Sequence, residues 1–401
     1  MDDLKALWRN PILRTIYIIV LLTTFWRGIL SLILPLYATS FEVSYIQVGI
    51  LLGAMDLGML IGDLPASNVL NRLGQKKTLL LGVTIMLFPA VILVWAPQIL
   101  IAVIFQFISG LGLALFNLAN HLSISEAVKL TNRGKAIASL GGISRVGFLV
   151  GPALGGILGG AFGLRIPFLM AGLIGIILLY VISTSQLPEV ELHQHNGQKH
   201  HIWSVFKKHR QILQAAGAGV LLAQTVRAGR RVIIPLFGSE ILGLDVQAIG
   251  IIVSAAAAVD MVMFPISGYM MDNWGRKWSI VPSFFMQGLG MALVPFTSGY
   301  LSLMLVACFI GLANGLSSGT MMTLGADLSP EGGRGEFLAT WRFIGDSGFA
   351  IAPNIVGLVA DLFLLGTAVF VIAGAGVMAG AVFGLFVPET LKKEPNLMTA
   401  D

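Results

Sequence analysis

Charge is what this sequence has least of. Asp, Glu, Lys and Arg make up 11% of its 401 residues, against about 25% in an ordinary soluble domain. That excludes a soluble globular enzyme and a disordered chain alike. Cysteine is almost absent: Cys308 stands alone, so neither an internal disulfide nor a Cys-rich metal site can form. No Gly-Lys-Thr or Gly-Lys-Ser phosphate loop occurs, which removes ATP as an energy source. The histidines His193, His195, His200, His201 and His209 lie in or beside a polar, linker-like stretch, and no metal or other cofactor is assigned to them.

Hydrophobic residues are 56% of the chain, and glycine supplies 48 residues, the composition of packed membrane helices. Twelve apolar runs stand out, at about 12–41, 47–70, 78–96, 98–122, 136–161, 166–184, 211–237, 246–271, 279–297, 300–325, 335–361 and 366–387. Each is long enough to cross a bilayer as a helix. None alternates as a porin strand would. The first run is too long for a signal-peptide core and no cleavage site follows it, so it is read as a retained span. The fold expected is all-α and polytopic, with lipid bilayer as its surroundings. A net charge of +5 could suggest nucleic acid, but the basic residues sit in loops between spans. With the N-terminus inside, 18 of the 25 Lys and Arg fall in inside segments and one, Arg165, outside. The positive-inside rule then puts both termini in the cytoplasm, in the inner (plasma) membrane.

The two halves repeat at an offset of 201. Gly74 pairs with Gly275, Arg133-Gly134 with Arg334-Gly335, and Gly151-Pro152 with Ala352-Pro353. Arg27 and Pro35 pair with Arg227 and Pro235 at 200. This predicts two six-helix bundles in parallel orientation, residues 1–184 and 211–401, joined by a cytoplasmic loop over 185–210. Such an arrangement rocks around a central cavity in secondary transporters.

The stretch Gly268-Tyr269-Met270-Met271-Asp272-Asn273-Trp274-Gly275-Arg276-Lys277 resembles the loop signature of the major facilitator superfamily. Gly147-Phe148-Leu149-Val150-Gly151-Pro152-Ala153-Leu154-Gly155-Gly156 resembles the fifth-span signature of its twelve-span drug:proton antiporters. The first-half copy of the loop departs from the signature, with Ser67 and Asn71 where Gly and Asp are usual. The resemblance implies a gating role for Arg72, Gly74 and Lys76 in one inside loop and for Gly268, Asp272, Gly275, Arg276 and Lys277 in the other. Arg133 with Glu126, Arg334 with Glu331, and Asp63 near an inside end extend that set. Gly147, Gly151, Pro152, Gly155 and Gly156 mark a gate helix, closely packed through its small residues and loosened at Pro152. Antiporters of this kind usually carry an Arg in span four; Gln106 stands there instead, in a span with no charge.

Ten charges lie within spans: Arg27, Asp56, Asp63, Arg145, Arg227, Arg230, Arg231, Asp260, Arg342 and Asp346. Each costs about 2.5–3.5 kcal/mol at mid-membrane and so should face a cavity or a partner. Spans three, six, nine and twelve have none. The substrate cavity is accordingly assigned to Arg27, Asp56, Arg145, Arg227, Arg231 and Asp260, with Asp56 and Asp260 as the proton-coupling carboxylates. Arg342 and Asp346, four apart on one helix, are read as neutralising each other. Gly311, Gly315 and Gly319 are read as a packing ladder. The function expected is a monomeric, non-enzymatic secondary transporter that exports amphipathic small organic compounds in exchange for protons. The alternatives are a carrier of an anionic metabolite or lipid-linked headgroup, suggested by six Arg against four Asp, and a non-transporting receptor or scaffold.

Overall fold

A computed structural model describes residues 11–127, 133–186, 210–330 and 333–391, with side chains for all of these except 11, 124–127, 133–138 and 211. The chain is all-α. Its first half holds α1 (Pro11–Thr39), α2 (Tyr45–Leu73), α3 (Gln75–Ile92), α4 (Ile99–Ala127), α5 (Arg133–Phe162) and α6 (Ile166–Thr184). The second half holds α7 (Arg210–Leu236), α8 (Val246–Asn273), α9 (Arg276–Leu293), α10 (Tyr300–Leu316), α11 (Thr320–Leu328), α12 (Arg334–Leu362) and α13 (Leu365–Phe386). Spans ten, eleven and twelve of the sequence are thus α10 with α11, α12, and α13. Most of the expected central loop and both chain ends lie outside the described residues.

Among the described residues, eleven segments are long and apolar enough to cross a membrane. The twelfth, α7, is long enough but carries Arg210, Arg227, Arg230 and Arg231 together with Gln214 and Gln224. Its polar residues need a wet cavity rather than lipid. Polar residues cap the starts of two of the helices. Asp245 accepts the Ala248 N–H at 2.6 Å ahead of α8, and Gln47 accepts the Ser44 N–H at 3.2 Å ahead of α2, each satisfying an otherwise orphaned donor.

Small residues set the packing, and the 201-residue offset reappears in the contacts. A Cβ on Gly110 of α4 would lie 2.0 Å from the Met55 carbonyl of α2; on Gly311 of α10 it would lie 2.2 Å from the Ala256 carbonyl of α8. Lys76 donates to the Ser183 carbonyl at 2.8 Å, and Lys277 to the Gly384 carbonyl at 2.7 Å. Each ammonium caps the exposed carbonyls at a helix C-terminus, of α6 and of α13 respectively. Gly110→Val is expected to force α2 and α4 apart and lower the melting temperature in detergent by several degrees. Gly374→Ala, where an added Cβ meets nothing within 4 Å, is the control and should leave it unchanged.

The halves meet along α2 with α12 and α5 with α8, and the closest approaches lie toward one end. Gly49 packs on the Pro353 carbonyl and Gly357 on the Tyr45 carbonyl, while Gly250 packs on the Pro152 carbonyl. The Asp361 carboxylate accepts the Tyr45 and Ile46 N–H groups at 2.8 and 2.9 Å, so α12 caps α2 across the interface. The Tyr45 hydroxyl donates to Glu240, in the π-helical turn Phe237–Ile241 that ends α7. At the opposite end Asp63 and Arg342 are exposed. The gate-helix glycines divide between two partners. Gly147, Gly151 and Gly155 lie against α1, where Gly151 faces Gly28, and Gly156 lies against Gly250 of α8.

Candidate functional site

Span ten breaks where the sequence reads Asn314-Gly315-Leu316-Ser317-Ser318-Gly319. Gly319 has φ +82°, a left-handed turn that favours glycine, and caps α11. Gly311 and Gly315 pack on α8 as expected of a ladder; Gly319 does not belong to it, because it makes the turn. The break places Asn314, Ser317 and Ser318 beside the charges of α5, α7 and α8.

Those charges surround a cavity of about 350 Å³ between the halves, lined by Arg145, Arg227, Arg230, Arg231 and Asp260 among others. A smaller cavity of about 80 Å³ adjoins it, with Arg27, Asp56, Gln106 and Trp26 in its wall. Ser31, Phe148, Arg231 and Phe349 line both, so the two meet at Arg231. All six residues assigned to the cavity from sequence therefore line one of the two, and Arg230 joins them.

The guanidinium groups differ in how they are held. Arg227 makes four hydrogen bonds to neutral acceptors: Asn314 Oδ1 at 3.0 Å, Gln224 Oε1 at 3.2 Å, and the Ser317 hydroxyl and carbonyl at 2.8 and 3.3 Å. Arg145 donates to Ser318 Oγ at 2.5 Å and to the Gly141 carbonyl at 3.3 Å, and lies 4.1 Å from the Phe264 ring centroid. Its Nε is buried without a partner. Asp260 accepts from Asn314 Nδ2 at 2.9 Å and Ser318 Oγ at 3.4 Å. Asn314 and Ser318 thus stand between Asp260 and its two arginines, and no direct ion pair forms. Arg231 sits between the rings of Phe349 and Phe148, 5.1 and 5.6 Å from their centroids, the geometry of cation–π contact. Among the described residues, Arg27, Arg230 and Arg231 make no hydrogen bond or ion pair, and neither does Asp56, which feels Arg27 and Arg231 only through space. Arg342 and Asp346 are not joined by an ion pair among the described residues either; Asp346 feels Arg342 only through space.

The loop residues come together in the second half. Gly74 and Gly275 both have positive φ, +78° and +120°, which explains the glycine shared by the two repeats. Arg276 bonds Asp327 Oδ2 at 3.0 Å, more closely than Asp272 Oδ1 at 3.5 Å, and the Asp272 side chain is 77% exposed. Glu389, just after α13, accepts the N–H groups of Arg276, Lys277, Thr390 and Leu391 at 2.9–3.0 Å. Sequence reasoning missed Asp327 and Glu389, which lie 51 and 113 residues beyond Arg276. Among the described residues Arg72 and Arg334 make no ion pair, and a Cβ on Gly268 would meet nothing within 4 Å. The side chains of Arg133 and Glu126, and residue Glu331, lie outside the described set.

Partial burial raises the proton affinity of Glu389, but the four backbone donors outweigh it and hold the group below its ordinary 4.5. A lowered folded pKa means that Glu389 contributes stability above the unfolded value, lost as pH falls through the folded one. Glu389→Gln should remove that part of the acid limb, so its melting temperature falls less steeply than the wild type below about pH 4.5.

The sequence matches the Major Facilitator Superfamily over residues 16–228 and again over 219–400. It is 26% identical over 315 residues to multidrug resistance protein 2 of Bacillus subtilis, covering 75% of this chain and 78% of that one. It is 23% identical over 376 residues to the cis,cis-muconate transport protein of Acinetobacter baylyi, covering 90% of each. Two solved structures share its fold at 16% identity. A bacterial homologue of the human lysosomal transporter Spinster, inward-facing and occupied, superposes with a TM-score of 0.77 over 94% of this chain and 96% of that one. A D-xylose-proton symporter does so at 0.76 over 94% and 98%. Two matches that together span nearly the whole chain, on an all-α fold of twelve spans around a central cavity, establish that this protein belongs to the Major Facilitator Superfamily.

Proposed function

We propose that this secondary transporter of small organic molecules carries organic anions. The observation that carries the reading is the charge of the cavity walls. Five guanidinium groups, Arg27, Arg145, Arg227, Arg230 and Arg231, face two carboxylates, Asp56 and Asp260. Three of the five have no hydrogen-bonded partner among the described residues. Guanidinium groups desolvated in this way are most stable opposite a carboxylate or phosphate, which their planar donors match. The similarity to a protein named for transport of cis,cis-muconate, a dicarboxylate, supports the same reading.

Alternating access supplies the mechanism. The repeat divides the chain into bundles 1–184 and 211–401, which rock about the cavity. With the positive-inside sidedness, both termini are cytoplasmic. The end tied by Asp361, Tyr45 and Glu240 is then the outside gate, closed here, and the state is inward-facing. The α5 glycines let that helix slide on α1 and α8 as the gate works. Arg276, Asp327, Asp272 and Glu389 brace the inside ends of α8, α11 and α13. Asp56 and Asp260 exchange protons with the cavity and couple transport to the proton gradient.

A second reading, proton-coupled export of amphipathic drugs by a monomer in the cell membrane, is favoured by the fifth-span motif and by the similarity to multidrug resistance protein 2. Expression in a drug-hypersensitive host separates the two. The anion reading expects altered tolerance to toxic organic acids and none to lipophilic cations. The reverse pattern overturns it.

A further inference from the structure

Arg230 and Arg231 are consecutive on α7, and both line the larger cavity. Neither makes a hydrogen bond or ion pair among the described residues, and neither is sealed off. Arg231 is exposed and Arg230 half-buried, and no nitrogen of Arg230 is buried without a partner. Their donors are therefore accessible, and their like charges act against each other. The other charges of the spans are offset nearer at hand. Arg145 and Arg227 connect to Asp260 through Ser318 and Asn314. Arg27 lies in the smaller cavity with Asp56, and Asp346 acts on both. Asp63 and Arg342 act on one another toward the inside end. Over all ten charges within spans, six arginines against four aspartates still leave +2. Two accessible guanidinium groups and a surplus of two charges describe the same ligand. A singly charged anion would leave one guanidinium desolvated and uncompensated.

Resting on the anion reading above, we infer that the substrates are dianions with two separate acid groups, one met by Arg231 and the other by Arg230. Consecutive residues leave a helix axis about 100° apart, so the two guanidinium groups are distinct points. Arg231 lines both cavities, whereas Arg230 lines the larger one alone. One acid group thus lies at the junction beside Phe148 and Phe349, and the other lies within the larger cavity. The volume of about 350 Å³ is near the low end of ligand pockets, roughly 300–1,000 Å³, so the diacid is a short one.

The test is a series on one skeleton that changes charge and keeps shape: adipate, its half-amide and its diamide, with the four- to eight-carbon homologues to find the best length. Butyl phosphate, which carries its charge on a single group, is the further probe. Binding to the purified full-length protein is read by titration calorimetry. At the best length the diacid should bind the wild type at least about tenfold more tightly than the half-amide, the size of one charge-assisted hydrogen bond. Arg230→Gln should bring that ratio down to roughly two, the statistical factor for two equivalent acid groups. Arg230→Lys keeps the charge and should retain part of the preference, a rescue that a merely structural role would not give. A ratio of two or less in the wild type at every length, or a preference that survives Arg230→Gln, overturns the inference. If both acids then still outbind the diamide, the anion reading stands. Butyl phosphate binding more tightly than every diacid also overturns the inference, because the two arginines would then serve one group. Diamide binding as tight as that of the diacid sinks the anion reading itself. No binding by any member of the series overturns both.

Discussion

Arg231→Gln is expected to weaken binding of a carboxylate substrate by about 10- to 150-fold. That corresponds to losing one charge-assisted hydrogen bond of roughly 1.5–3 kcal/mol. Arg231 stands where the two cavities meet, held only by the faces of Phe148 and Phe349. It therefore has donors free for a ligand, and its loss breaks no internal hydrogen bond among the described residues. Arg227 is the informative contrast. It holds Asn314 and Ser317 at the break between α10 and α11, so Arg227→Gln should lower the melting temperature first, and binding only as the break loosens. Titration calorimetry on both variants, with thermal unfolding alongside, separates the roles. Unchanged affinity in Arg231→Gln would remove Arg231 from the substrate site.

The second large effect is expected at Asp56. It is a carboxylate among membrane spans with no hydrogen-bonded partner, facing Arg27 and Arg231 across the smaller cavity. Such a group must be compensated by nearby charge, hydrated or protonated. When an anion takes Arg231, Asp56 loses part of that compensation and binds a proton. Substrate binding should therefore take up protons, the sign required for anion–proton cotransport; exchange of drug against proton requires release. In proteoliposomes Asp56→Asn should lose accumulation against a gradient while keeping counterflow, because the neutral amide keeps the size but cannot titrate. Proton uptake by the purified wild type that persists in Asp56→Asn would move the coupling role to Asp260.

The membrane fold was legible because its signals are additive over long windows: twelve apolar runs, a biased count of basic loops and a 201-residue offset. The offset reaches individual contacts, since Gly110 and Gly311 meet Met55 and Ala256, and Lys76 and Lys277 cap α6 and α13. The cavity was legible too, because a charge within a span has few places to go; Asp56, Asp260 and the assigned arginines do line it. What sequence could not supply was pairing. Arg342 and Asp346 share a helix at a favourable spacing and still make no ion pair. Arg276 prefers Asp327, 51 residues away, to Asp272 four residues away, because α11 brings Asp327 to it. The break in span ten carried a readable signal in Asn314, Ser317, Ser318 and Gly319, which a glycine ladder obscured. Gln106 drew notice as a missing arginine, and the structure places it in the wall of the smaller cavity.

The central claim is that the cavity selects anions through its guanidinium groups. The measurement that tests it most directly is thermal stabilisation of the purified protein by isosteric compounds that differ only in charge, such as a benzoate, the matching benzamide and the matching benzamidinium. The account predicts saturable stabilisation by the anion, none by the cation, and loss of the anion's effect in Arg231→Gln. Stabilisation by the cation and not by the anion would contradict it.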